Sequence, residues 1–327
     1  MDSKKETIDI IKSLLCELSA SEREVRNYIN TTRYQNKLIK NLSKWNQICS
    51  SLDVIGDTVY SINDYIISEF PHQDGLKYIF IYGILQSLFL QQDAIRHLHE
   101  AFEIEFDLTP SLKNIRFIRN ASIGHPTKHF LNKLNYYNYI SRITMSKFGF
   151  TLIRSGEDGF EEFIDVDLFS LIHEQLTELQ QIYAEIASKL KEYDIMHKEK
   201  YSDRLLAELF HPSMHYLFSK VSEGIHSASR GYEREFGLSI LILIEEKYLK
   251  FIDEMKERSE FNEYIEFNLD EYMHAINILK SYLSENKKDL TEADARIYHF
   301  YLTENHDLFE KHAKSIDEEY RVDEKIS

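Results

Sequence analysis

The chain has only two cysteines, Cys16 and Cys49, in 327 residues. Neither has a second Cys or a His at metal-ligand spacing, which argues against a disulfide scaffold and a zinc centre. A reducing cytoplasm is the expected compartment. Proline and glycine are also scarce, at 4 and 10, so few positions interrupt a helix or supply a tight turn. No uncharged stretch reaches the roughly 18 residues a membrane-crossing helix needs. The apolar run Tyr78 to Leu90 is too short for that and predicts a buried helix. The opening MDSKKETIDIIKSLL lacks a long apolar core and a small-residue cleavage site, so neither a leader nor a membrane partner is expected. Gly-rich phosphate loops, nucleophile elbows and HExxH pairs are missing as well. No cofactor and no metal are expected.

What the chain does have is globular: 43% hydrophobic, 29% charged and 13% aromatic residues, enough for one large or two modest domains with full cores. Its net charge of −16 argues against gripping nucleic acid through the general surface. The charges are unevenly spread, however. Residues 1 to 130 hold 15 Lys+Arg against 16 Asp+Glu, leaving 24 against 39 for the remainder. Between Asp107 and Glu157 there is no acid at all, while Lys113, Arg116, Arg119, Lys128, Lys133, Arg142, Lys147 and Arg154 cross it with His125, His129 and Tyr136, Tyr137 and Tyr139. In an acidic protein this strip faces an anion, or else pairs internally with the acidic second half.

Apolar residues recur three and four apart along most of the chain, so helices dominate. The spacing predicts a first helix through Ile8, Ile11, Leu14, Leu15 and Leu18 and onward to about Leu42, a second from Trp45 to Phe70, and a third from Leu76 to about Phe106. Thr109-Pro110-Ser111 predicts a short helix with Thr109 as N-cap and Pro110 at its first position. It ends at Gly124-His125-Pro126. Between Ile143 and Asp167 the period shortens to two around a Gly156 to Gly159 turn, predicting a small β-hairpin insertion at about 143–167. Helical spacing returns through Ile172, Leu176, Leu179, Ile182, Ile186 and Leu190. Residues 191 to 204 are charged and read as a linker or helix end, which divides the chain into a domain over 1–195 and a helical C-terminal region over 196–327 of unassigned role. Further helices are predicted near His215 to Ser229, Glu233 to Glu257, Leu269 to Ser284 and Glu292 to Tyr301, with a frayed tail after His306.

Within the acid-free strip, Arg119 is followed by the polar Asn120 and, six residues on, by His125. The pairing suits metal-independent RNA cleavage. Histidine can exchange a proton with a ribose 2′-hydroxyl or a leaving 5′-oxygen near neutral pH, and an arginine fork can neutralise the phosphate as charge builds on it. Asn120 can orient the histidine or bind a phosphate oxygen. By count the spacing is weak, since chance supplies about two such pairs in this composition. The second is Arg204 with His211, where Leu205 follows the arginine and no basic strip surrounds it. A capping explanation also exists: Gly124 as a left-handed C′ residue, Pro126 as a stop, Arg119 and His125 softening the negative helix end.

The segment IRFIRNASIGHP resembles the signature of the HEPN superfamily, an Arg, a polar residue and a His four to six residues past the Arg on a four- or five-helix bundle. The preceding YGILQSLFLQQDAIRHL is similar to the partner helix of such bacterial proteins, with Gln91, Gln92 and Asp93 at positions that are often polar. The similarity covers roughly residues 45 to 195. It implies a mainly α HEPN-like bundle and an endoribonuclease leaving 2′,3′-cyclic phosphate ends, with Arg119 and His125 catalytic and Asn120 supporting. It also implies a toxin or anti-phage defence role, RNA as substrate, a homodimer with a composite active site, and an antitoxin or regulatory partner. Substrate contacts are expected from Arg116, Lys113, Lys128, His129 and Asp93. Some members of the family have lost cleavage, so a non-catalytic helical interaction or nucleotide- or RNA-binding module is the alternative. His211 and His215, four apart in HPSMH, lack a third ligand and carry no metal expectation.

Overall fold

Helices form where apolar residues repeat at helical spacing, and the computed structural model describes them over residues 2–131, 134–210, 213–230, 234–284 and 290–321. The fold is mainly helical, with one small antiparallel sheet. Its contacts define two units, Met1–Ile29 with Asn41–Leu190 and Asn30–Lys40 with Lys191–Ser327. None of the described helices is long and apolar enough to cross a membrane.

The first unit contains α1 (Asp2–Ile29), α3 (Leu42–Ile67), α4 (Asp74–Phe102), α5 (Pro110–Arg119) and most of α6 (Leu168–Glu199). Asn41 caps α3 by accepting the Lys44 N–H at 3.2 Å, and Thr109 caps α5 by accepting that of Leu112 at 3.3 Å. Both satisfy donors that a helix start leaves open. Ile48, Leu52, Ile55 and Ile62 of α3 meet a core that includes Ile84, Leu88 and Ile95 of α4, Ile115 of α5 and Ile172, Leu176 and Leu179 of α6, all buried. The buried helix expected over Tyr78 to Leu90 is buried on one side only: Ile81, Ile84, Leu85 and Leu88 turn inward, whereas Ile79 is 63% exposed and Tyr82 and Leu90 face solvent too. An apolar run says that a helix is sticky, not which of its sides has a neighbour.

The hairpin is half of a larger sheet. β1 (His129–Leu131), β2 (Leu134–Ile140), β3 (Gly149–Gly156) and β4 (Glu161–Asp167) pair antiparallel in that order. Gly159, at φ 84°, makes the β3–β4 turn in a conformation that costs glycine little. β2 escaped prediction because its sequence LNYYNYI is aromatic on both faces and shows no alternation.

The second unit contains α2 (Thr32–Ile39), α7 (Met214–Ser229), α8 (Glu235–Glu257), α9 (Glu263–Leu283), α10 (Glu292–Glu319) and the last turns of α6. Val221, Leu241, Tyr248, Phe251, Tyr272, Ile276, Leu302 and Phe309 are fully buried in its core. The single first helix expected to run to Leu42 is broken at Thr31, whose ψ of 143° is extended. What draws α2 into this unit is ionic rather than apolar. Buried Arg33 donates to Asp194 at 2.8 Å, Glu260 at 3.1 Å and Glu319 at 2.7 Å, and Asn36 donates to the Ser259 and Phe261 carbonyls. The tail after His306 is not frayed as far as Glu319, because Phe309, Ala313 and Ile316 keep one face of α10 in the core.

Candidate functional site

In PSLKNIRFIR the residues Leu112, Ile115 and Ile118 turn inward, which leaves Arg116 and Arg119 one turn apart on the flank of α5 beside α4. Each finds an amide acceptor there. Arg119 Nε and Nη2 both donate to Gln86 Oε1, at 3.2 and 2.8 Å, and Nη1 donates to Asn120 Oδ1 at 2.9 Å. Arg116 Nε donates to Gln92 Oε1 at 2.9 Å and Nη2 to Asp93 Oδ1 at 3.0 Å. Phe89 receives both guanidinium groups, their central carbons lying 4.1 Å (Arg119) and 4.6 Å (Arg116) from its ring centre. Behind Gln92, a fully buried amide chain reaches α6: Gln92 donates to Gln175 at 2.7 Å, and Gln175 to Gln91 at 2.7 Å. A rigid core element thus fixes the outer arginine.

The two cations are not equivalent. Burial pushes the Asp93 carboxyl upward, but the Arg116 hydrogen bond and the Arg96 and Arg116 charges prevail and hold it below its usual range. Asp93 therefore stays ionised and compensates Arg116. Arg119 is held by neutral amides only, and among the described residues no carboxylate pairs with it. Burial first, and then the neighbouring Arg116 charge, lower the affinity of Arg119 for its proton. Its guanidinium nevertheless remains charged at any physiological pH. A partly buried, uncompensated cation favours an anion.

Past Arg119 the chain makes one π-helical turn, Asn120–Gly124, in which the His125 N–H reaches back five residues to the Asn120 carbonyl at 2.7 Å. Such single wide turns recur at functional sites. Gly124 is needed there for closeness and not for handedness, since it is not among the positive-φ residues. A Cβ at Gly124 would stand 2.9 Å from Arg119 Nη1 and 3.1 Å from Asn120 Oδ1. The wide turn thus presses its backbone against the arginine and releases the next residue, His125, into solvent. The His125 ring has no hydrogen-bond partner among the described residues, and Pro126 is tied down by the Asn138 N–H of β2 at 2.8 Å. The expected left-handed cap at Gly124 is therefore replaced by a π turn.

The structure brings together Arg119, Asn120, the His125 backbone, Arg116 and Asp93. Asn120 orients the arginine, and only its main chain touches His125. Lys113 and Lys128 are exposed and hydrogen-bond to none of these groups, and the His129 side chain and all of Lys133 and His211 lie outside the described residues. Three other cations of the acid-free strip serve the fold: Arg154 lies between Tyr136, at 3.9 Å, and Phe117, at 5.3 Å, Lys147 donates to the Ser68 carbonyl at 2.6 Å, and Arg142 bonds Tyr78. Gln86, Phe89 and Gln175 were missed. The first two were legible as a polar and an aromatic position three apart on the face of α4 that ends at Gln92-Asp93. Gln175 offers no signal outside the fold. No group of three metal-ligating side chains occurs among the described residues. No protein family, curated relative or solved structure matches the chain.

Proposed function

We propose that the chain is a metal-independent endoribonuclease of the HEPN type, in which α3, α4, α5 and α6 supply the bundle and Arg119 and His125 the chemistry. One observation carries the proposal: a cation with no carboxylate partner among the described residues and a solvent-facing histidine stand at the two ends of a single π turn that glycine allows to close on the guanidinium. The RNA phosphate binds Arg119, whose fork Gln86, Asn120 and Phe89 hold in place. His125 takes the proton of the ribose 2′-hydroxyl, the 2′-oxygen bonds to phosphorus, and the bond to the 5′-oxygen breaks as that oxygen gains a proton. The products are a 2′,3′-cyclic phosphate and a free 5′-hydroxyl. A second copy can bring its own histidine as the acid, which makes a homodimer the expected working form. A toxin or defence role, with a protein that restrains it, fits an enzyme that cuts RNA.

The test is chemical. RNA with one 2′-deoxy nucleotide at a mapped cleavage position should resist cutting there, and unmodified RNA should yield cyclic phosphate ends. Cutting at the deoxy position would refute the mechanism. A second reading has its own support, because Arg119 already makes three hydrogen bonds that brace α5 against α4 and its own cap. As a purely structural brace in a binding module, Arg119→Ala would lower the melting temperature without any activity to lose.

A further inference from the structure

Register decides which side chains share a face of a sheet. Asn138, Phe150, Leu152 and Val166 lie on the buried face, with Arg154. The alternate residues face outward, and among the polar ones that a solvent-facing antiparallel strand normally carries, here Asn135, Thr151, Ser155, Glu161, Asp165 and Asp167, stand the rings of Phe130, Tyr137, Tyr139 and Phe163. Tyr139 pairs with Ile153 and Ile153 with Phe163, so one apolar row crosses three strands. Tyr139 is 57% exposed, Phe163 66%, and Phe130, on the same face through its pairing with Asn135, 67%.

We propose that this outer face is a stacking platform for unpaired bases of single-stranded RNA, holding the strand whose phosphate is presented to Arg119 and His125. The inference rests on the ribonuclease reading above. Three observations favour RNA as the occupant. Three of the six exposed side chains of the face, Phe130, Tyr139 and Phe163, are aromatic rings, and every base offers a flat face for such rings to stack on. The platform also adjoins His125, because the Asn138 N–H between Tyr137 and Tyr139 holds the carbonyl of the next residue, Pro126, while the opposite face of the sheet meets α5 through Arg154 and Phe117. Finally, β1, β2 and their loops contain no acid between residues 125 and 149, and exposed Lys128 lies beside β1. The outward carboxylates are Glu161, Asp165 and Asp167 of the far edge strand β4, and Glu157 of the β3–β4 turn, which accepts from Asn135 of β2 at 2.6 Å. A phosphate backbone therefore runs along the β1–β2 side while its bases reach across toward Phe163. Glu161 there can accept from base amino groups, as carboxylates do. A duplex keeps its bases stacked inside and cannot use the face.

Binding is separable from cutting, so the experiment uses the His125→Ala protein in EDTA with a fluorescent 12-nucleotide RNA, single-stranded or annealed to its complement. Anisotropy should show the single strand bound at least tenfold more tightly than the duplex. Tyr139→Ala and Phe163→Ala should each weaken single-strand binding by about tenfold, and Tyr139→Trp should preserve it. Both side chains are exposed, so unchanged melting temperatures serve as the folding control. Equal affinity of the alanine variants and the parent overturns the platform. So does a change in sedimentation from dimer to monomer without any change in RNA affinity, which makes the face a protein interface. If the wild type cuts RNA and the Tyr139/Phe163 variant cuts equally well, only the platform falls. If the wild type never cuts while the aromatic variants still lose binding, the platform stands and the cleavage reading falls.

Discussion

Gln86 accepts two hydrogen bonds from Arg119 through a single carbonyl oxygen, at 3.2 and 2.8 Å, and gives that cation no charge in return. An arginine that only had to tie two helices together would be served as well by a carboxylate, as Arg116 is by Asp93. A neutral acceptor holds the fork and leaves its charge uncompensated, as the proposed phosphate site requires.

Gln86→Glu should therefore separate structure from function. The variant gains an ion pair with Arg119 and should melt at the wild-type temperature or slightly above, while RNA affinity falls about tenfold or more as the phosphate competes with a fixed carboxylate. Undiminished RNA binding would show that the neutrality of this position is incidental.

Gly124→Ala places a methyl 2.9 Å from Arg119 Nη1. The atom it meets is the end of a flexible side chain, so the arginine should swing aside at a stability cost of about 1 kcal/mol or less. The expected result is a cleavage rate reduced by one to two orders of magnitude with a nearly unchanged melting curve. A large loss of stability with unchanged specific activity would contradict this.

Arg33→Met removes the one cation shared by Asp194, Glu260 and Glu319. Two of those carboxylates, Asp194 and Glu260, are themselves buried; Asp194 keeps Lys198 at 2.9 Å, while among the described residues Glu260 is left with the Tyr320 hydroxyl alone, and the loss should cost the second unit about 3 kcal/mol in urea denaturation. A loss below about 1 kcal/mol would mean that solvent reaches the cluster.

Acid should weaken the second unit before it reaches the range of ordinary carboxylates. Burial above all lowers His306, whose Nδ1 meets the Tyr248 hydroxyl at 2.8 Å, to about 4. Burial and the Lys37 charge lower His197 to about 4 as well. In the unfolded chain both bind a proton near 6.5, so between about 6.5 and 4 the unfolded state holds more protons and stability rises with pH. Their contribution is fully present above about 6.5 and is lost progressively on acidification toward 4. Denaturation midpoints at pH 7 and 5 measure it, and His306→Gln should flatten the slope. A midpoint constant from pH 7 to 4.5 would contradict the assignment.

The helices were legible because their apolar residues keep a period that any partner must respect, and α5 was legible down to its Thr109 cap. Less visible was whatever depends on a distant partner. Arg33 buries a charge, which no hydrophobic pattern announces, so the break at Thr31 could not be seen. At the candidate site Arg119, Asn120 and His125 stood out by residue type within an acid-free strip, but the arrangement that joins them did not. Gln86 looks like any surface glutamine until α5 lies beside it. Gly124 suggests a left-handed cap, and only the π turn shows that its missing Cβ makes room for a guanidinium. The strip itself overstates the charge left for an anion, since Arg142, Lys147 and Arg154 are engaged by the fold.

Cleavage of a single-stranded RNA by wild-type protein and by His125→Ala, side by side in excess EDTA with melting curves of both, tests the central claim most directly. The expected result is site-selective cutting by the wild type and its loss, by at least a hundredfold, in a variant that melts at the same temperature. Equal cutting by the two proteins, or none by a correctly folded wild type across a range of RNA substrates, would contradict the assignment of Arg119 and His125 to catalysis.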